Sequence, residues 1–287
     1  MKFEPLVSRN TVPRTYVHAK LSDTYFYSIL RDNFPISTWL ALGAITQSFL
    51  LFLFPAHLAL APALTLLLFR ATCAVLATVR LLPNHQMDGV VPGKWTAQLP
   101  NKEGEVPGEV AERGLVVISL GARSNHPFGI LGPGFKEVGD LMDAMLKELH
   151  ERAEEFKFLG HTSFVSTERH TTNQVMSLCY FRTIEGLHAY AHSALHRKAW
   201  EWWNKITNTH PHLSIMHEAY YSPKKEWENI YVNSHPTGFA DTNAFISVDG
   251  RPSLPIFDAR MGRLRSHRGR LGRGDGTDNE EYGSEPY

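Results

Sequence analysis

The chain has 287 residues, enough to bury a core without disulfide or metal staples. Its 29 basic and 29 acidic residues cancel, so no overall field points to nucleic acid or to an acidic partner. Cys73 and Cys179 are the only cysteines, too few for a disulfide framework or a thiolate metal cage, and both read as reduced, packed thiols.

Residues 1–35 mix Tyr, Phe, Arg and Lys without sustained periodicity and read as an irregular N-terminal arm with one short helix. The polar start shows no cleavable signal peptide, so the chain is expected to keep its N-terminus. Residues 36–82 change character abruptly: ISTWLALGAITQSFLLFLF is followed, after Pro55, by a second apolar block. The first block matches the roughly 20 residues that a membrane-spanning helix requires. The second carries Pro62 and Arg70, and a central arginine costs about 2.5 to 3.5 kcal/mol on insertion scales. Arg9, Arg14, Lys20 and Arg31 precede the pair and Lys94 follows it, which fits a membrane hairpin with both ends cytosolic. A hairpin of buried core helices is the competing reading.

Residues 83–112, rich in Pro, Gly and charge, read as a linker or lid. Leu115–Leu120 is a β-branched apolar run bounded by glycines, a buried strand. From Phe135 to Phe158 apolar residues recur at Val138, Leu141, Met142, Met145 and Leu149, an amphipathic helix. Thr162–Thr167 and Val175–Phe181 form a hairpin, Ile184–Ile206 a second helix and Leu213–Tyr221 a fourth strand. The fold class is therefore α+β, a ferredoxin-like βαββαβ domain over residues 113–240, preceded by the apolar hairpin. Both helices cover one sheet face, and the bare apolar face left over predicts a homodimer. Residues 241–287 end in an Arg/Gly tract and an acidic terminus, with too little apolar content to offset ordering entropy, and are expected to be disordered. The Arg/Gly run alone is too weak a signal for RNA binding.

Three motifs can carry chemistry. In EGLHAYAHSALHRKAWEWW, His188, His192 and His196 recur every four residues and form one stripe along a helix at the edge of its apolar face. Two histidines at that spacing can hold zinc, but no HExxH pattern or further ligand set accompanies them, so no metal is expected. In HPHLSIMHEAY, period two puts His217 on the apolar side with Leu213, Ile215 and Ala219, where an imidazole near neutrality is a candidate general base. Hydrogen-bonded core histidines are the plain alternative for both motifs. The third, GARSNHPFGILGPGF, is a shaped loop after the first strand whose polar tips are Arg123, Asn125 and His126. It lacks the spacing of a dinucleotide or Walker loop. Trp200, Trp202, Trp203, Tyr180, Phe181, Tyr220 and Tyr221 can line a hydrophobic pocket, a core or a dimer interface.

The segments GARSNHPFGILGPGFKEVGD, LCYFRTIEGLHAYAHSALHRKAWEWWNK and HPHLSIMHEAYYSPKKEWENIYVNSHPTG resemble a fungal and bacterial family of monooxygenase-like proteins related to the fumagillin-pathway polyketide monooxygenase. The likeness runs from the apolar hairpin through WTAQLP to about Phe239. It implies the dimeric α/β-barrel fold of the antibiotic-biosynthesis monooxygenases and the oxidation of a hydrophobic polyketide or terpenoid by dioxygen. Catalysis is then expected from His196, His217 or His192, with Arg123, Asn125, His126, His188, Trp200, Trp203 and Tyr220 around the substrate. The wider superfamily includes cofactor-free members and members that bind haem through a histidine on the equivalent helix, here His192 or His196. The cofactor-free version is the expectation. A haem-dependent lyase of the aldoxime-dehydratase type and a non-catalytic membrane-bound scaffold are the alternatives. The expected place is a membrane, with the catalytic domain facing the cytosol, at the endoplasmic reticulum in a fungal cell.

Overall fold

The computed structural model describes residues 5–6, 25–101, 103–105 and 107–278, so most of the N-terminal arm and the acidic end of the tail lie outside the described residues. In chain order the helices are α1 (Tyr25–Asp32), α2 (Ile36–Leu53), α3 (Ala56–Thr78), α4 (Phe135–Glu151), α5 (Ala153–Phe156), α6 (Ile184–Ala191), α7 (Ala194–Ile206) and α8 (His267–Arg270). The strands are β1 (Val91–Ala97), β2 (Leu115–Ser124), β3 (Phe158–Val165), β4 (Val175–Phe181), β5 (Leu213–Ser222), β6 (Tyr231–Ser234), β7 (Ile246–Val248), β8 (Arg251–Ser253) and β9 (Ile256–Asp258). Two compact units result: residues 31–90, and the rest of the chain.

The smaller unit holds α2 and α3, each entered through a proline, Pro35 and Pro55, whose fixed φ suits a helix start. With 18 and 23 residues they are about 27 and 35 Å long at 1.5 Å rise, long and apolar enough to cross a bilayer. The chain itself leaves them uncovered: no residue of α2 is buried, and in α3 only Ala59 is. Thr46, Ser48 and Thr78 donate their hydroxyls to the carbonyls of Leu42, Ala44 and Ala74, four residues back, at 2.8, 2.9 and 2.8 Å. Their polar groups are thereby satisfied within the helices.

In the larger unit, β2 to β5 form an antiparallel sheet in the order β3-β4-β2-β5. One face, carrying Val116, Ile118, Phe158, Cys179 and Phe181, packs with Leu146 and Leu149 of α4 and with Leu187 and Tyr190 of α6. The other face is not bare. Leu115, Leu159 and Tyr180 share a second core with Trp95, Trp227, Phe239, Ile256 and Phe257, from a layer built around the sheet β6-β1-β9. The surface from which a homodimer was expected is thus largely occupied by the chain's own residues.

Four expectations are corrected. The first long helix stops at Glu151, where Arg152 leaves helical geometry (φ −113, ψ 32); the short α5 follows, and a left-handed Lys157 (φ 54) ends it ahead of β3 at Phe158. The second is broken at His192–Ser193, where Ser193 leaves helical geometry and its hydroxyl caps α7. The linker contains β1, the central strand of the second sheet, with Trp95 fully buried and stacked 4.2 Å from Tyr231. The tail, expected to be disordered from residue 241, is structured as far as Asp278. There β9 pairs with β1, matching Phe257 to Thr96, and Ile246, Ile256 and Phe257 are fully buried. Even the Arg/Gly tract contributes: Arg270 is ion-paired to Glu228 at 2.6 Å and donates to the carbonyls of Leu264 and Arg265.

Two glycines tie the layers together. Gly134 (φ 81) starts α4 where a Cβ would lie 2.8 Å from Leu213, and Gly160 (φ 144) sits at a bulge in β3 where a Cβ would lie 3.2 Å from the Thr242 backbone. Because the tail completes a core, Phe257→Ala is expected to cost about 3–5 kcal/mol in denaturant unfolding of the whole chain. An unchanged midpoint would return residues 241–278 to a dispensable tail.

Candidate active site

Between the sheet and the helix layer lies a cavity of about 570 Å³, within the ordinary range for small-molecule sites. Its floor is the helix-facing side of β2, β4 and β5, with Ile118, Leu120, Cys179 and Phe181. Its roof is α4, α6 and α7, with Met142, Met145, Leu146, His188, His196, Trp200, Trp202 and Trp203. Register explains why one edge is lined by β5: Leu120 pairs with His217 and Ile118 with Ala219, so His217 and Ala219 project to the same side as the floor. That edge is also the opening. The other side of β5 has no strand neighbour in the sheet, and His217, Ala219, His188 and Trp200 are exposed. Deep in the cavity the wall is apolar except for Cys179 and Tyr190.

His196 is half-buried in this wall. Burial lowers its pKa below 6.5; a hydrogen bond to the Ala191 carbonyl pulls it back, the charges of His217 and His192 lower it again, and Glu148 raises it slightly. The ring is therefore neutral at pH 7. A neutral imidazole has one ring nitrogen without a proton, and that nitrogen can accept one. Cys179 is no nucleophile, since burial pushes its thiol up to about 12. Burial likewise raises the Tyr190 phenol well above its usual range, and its hydroxyl is buried without a hydrogen-bond partner.

The structure brings together His188, His196, His217, Trp200 and Trp203 in one wall. It places the others elsewhere. His192, at the helix break, is exposed, with Nδ1 2.8 Å from the His188 carbonyl oxygen. Arg123 donates to the His170 carbonyl, the exposed Asn125 donates its backbone N–H to the His212 carbonyl at 2.7 Å, and His126 packs edge-on against His212 with ring centres 5.2 Å apart. Tyr220 is exposed and donates to Glu218 at 2.7 Å. Its β2 partner is Val117, so it lies on the face away from the cavity. Tyr190, Met142 and Met145 complete the wall without having been singled out; their only sequence signal is membership of an apolar helix face. Among the described residues no group of three His, Cys, Asp or Glu side chains is arranged to hold a metal ion.

Residues 115–239, from the first residue of β2 to the buried Phe239, match the family model described as monooxygenase af470-like. Monooxygenase af470 of Aspergillus fumigatus is 30% identical over 277 residues, spanning 95% of this chain and 98% of that protein. The chain belongs to the monooxygenase af470-like family. It is accordingly an oxidoreductase of monooxygenase type, acting on a small molecule. Among solved structures, an aldoxime dehydratase crystallised with butyraldoxime is 15% identical, with a TM-score of 0.35, over 68% of this chain and 48% of that one. Protein SO0527 of Shewanella oneidensis is 15% identical, with a TM-score of 0.26, over 40% and 95%. SnoaB, a cofactor-independent oxygenase of Streptomyces nogalater, is 12% identical, with a TM-score of 0.24, over 37% and 90%. Likeness at these scores transfers nothing to this chain.

Proposed function

We propose that the cavity is the oxygenation site, and that this monooxygenase oxidises a neutral, hydrophobic, electron-rich molecule of polyketide or terpenoid type with dioxygen and without a cofactor. The observation that carries the reading is the neutral His196, half-buried in a wall that is otherwise mostly apolar or aromatic, has His188 and His217 at its mouth, and contains no Lys, Arg, Asp or Glu. A charged substrate would find no partner there, and an acidic O–H or C–H would find a base. His196 takes the substrate's proton and His217, at the mouth, returns it to solvent. The resulting anion reacts with dioxygen in a site from which water is largely excluded. Of the two histidines expected to ligate a haem, His196 lies in the wall and His192 outside it, and the wall has no Lys or Arg for haem propionates, which favours the cofactor-free reading.

The sheet order β3-β4-β2-β5, with α4 and the α6–α7 pair on one face, supports reading the catalytic domain as ferredoxin-like, with the chain's own β6-β1-β9 layer on the face that a second protomer would cover in a dimeric α/β barrel. The uncovered helices α2 and α3 support a membrane hairpin that anchors the chain where such substrates partition, with the catalytic domain cytosolic. Alkaline-carbonate washing should leave the full chain in the membrane pellet; release into the supernatant would remove the anchor.

For the chemistry, 1,5-dihydroxynaphthalene is a suitable electron-rich probe. One oxygen atom of O2 enters the ring and the other leaves as water, with the diol supplying four electrons and yielding the hydroxynaphthoquinone. The purified chain should consume dioxygen with this probe, and His196→Ala should slow it by about a hundredfold or more. Because protonation removes the base and burial lowers the His196 pKa, the acid limb of the rate profile should lie below pH 6.5. Undiminished uptake in both His196→Ala and His217→Ala would reject the site.

A further inference from the structure

Two lines of contact run from one arginine to His196. Along the first, Arg152 Nη1 is ion-paired with Glu148 Oε1 at 2.5 Å, and Glu148 Oε2 accepts the Ser193 hydroxyl at 3.1 Å. The Ser193 oxygen in turn accepts the backbone N–H of His196 at 3.2 Å. Ser193 is 8% exposed and the Glu148 side chain 14%, so neither is a loosely solvated surface group. Along the second, the Arg152 guanidinium lies 4.5 Å over the Phe156 ring, and Phe156 meets Tyr190 edge-on at 5.3 Å. Tyr190 meets the His196 ring edge-on at 5.5 Å. One line holds the backbone of His196 and the other its imidazole.

Serine is a weak helix former in an interior and a strong one at an N-cap. Placed three residues before His196, Ser193 both ends the preceding helical run and makes the capped N–H that of the histidine itself. An ordinary cap needs no carboxylate behind it. Here the hydroxyl is oriented by Glu148, which is anchored on a different helix.

We propose that Ser193 and Glu148 are positioning residues that set where His196 enters the cavity. This rests on the reading of His196 as the base, yet it can be tested without turnover. In the full chain in detergent, with histidine labelled at ring Cε1 and His196 assigned by its Ala variant, the His196 resonance reports the setting of the ring directly. The charged and titratable groups acting on that ring are His217 from β5, His192 from the helix break and Glu148 from α4, with Tyr190 of α6 in contact. Ser193→Ala should free the ring towards solvent and raise its titration midpoint towards 6.5, while Ser193→Thr, which keeps the hydroxyl, should titrate as the parent does. A folded Ser193→Ala chain in which His196 titrates as in the parent would overturn the proposal.

Should Ser193→Ala fail to fold, Glu148→Ala decides. Loss of the carboxylate charge alone lowers the His196 midpoint, whereas loss of its hold on Ser193 raises it; a fall overturns the proposal. With 1,5-dihydroxynaphthalene, Ser193→Ala should lose about tenfold in kcat with Ser193→Thr restoring it, the size expected for a misplaced reactive group. If His196→Ala leaves dioxygen uptake intact, the base reading fails while the NMR result still stands.

Discussion

Strand β2 is apolar on both sides, and each side must leave water separately. Val116 and Ile118 turn to the helices, while Leu115 and Val117 turn to the layer built on β1, β6 and β9. At about 25 cal/mol per Å² of apolar surface, neither face can be left open at small cost. The rest of the larger unit follows from that demand. Helices α4 and α6 close one side, and the segments before β2 and after β5 return to close the other.

The cavity exists because the helix layer does not close fully over the β5 edge. Strand β5 pairs only with β2, so its helix-facing residues Ile215, His217 and Ala219 have a floor beside them but an incomplete roof. The break between α6 and α7 sits beside α4, where Ser193 meets Glu148. Restarting the helix at Ser193 places His196 in the wall while His192 is left in solvent. An apolar interior bordered by His196, with the exposed His217 at its rim, is the arrangement on which the proposed proton removal rests.

Much of this could be read from residue order. The apolar, strand-like runs at Leu115, Val175 and Leu213 and the helical spacing from Val138 to Leu149 correspond to β2, β4, β5 and α4, because each carries its own local signal. The side of β5 on which His217 lies followed from period two alone. What could not be read were features decided by distant partners. Ile246, Ile256 and Phe257 have no period of their own and are buried only because Trp95 and Tyr180 await them across the sequence. The three-histidine stripe failed at Ser193, where a cap is worth more than an unbroken helix. Arg123, Asn125 and His126 are the polar tips of a loop after a strand, yet their contacts go to neighbouring backbone and to His212.

If the chemistry takes place inside the roughly 570 Å³ space between the sheet and the helix layer, filling that space should stop it. Met142 is half-buried on the roof, on α4 rather than on the elements that carry His196 and His217, so Met142→Trp should occupy the cavity while leaving both histidines in the chain. In a variant that unfolds cooperatively as the parent does, dioxygen uptake with 1,5-dihydroxynaphthalene should disappear. Full uptake in that folded, cavity-filled chain would contradict the account.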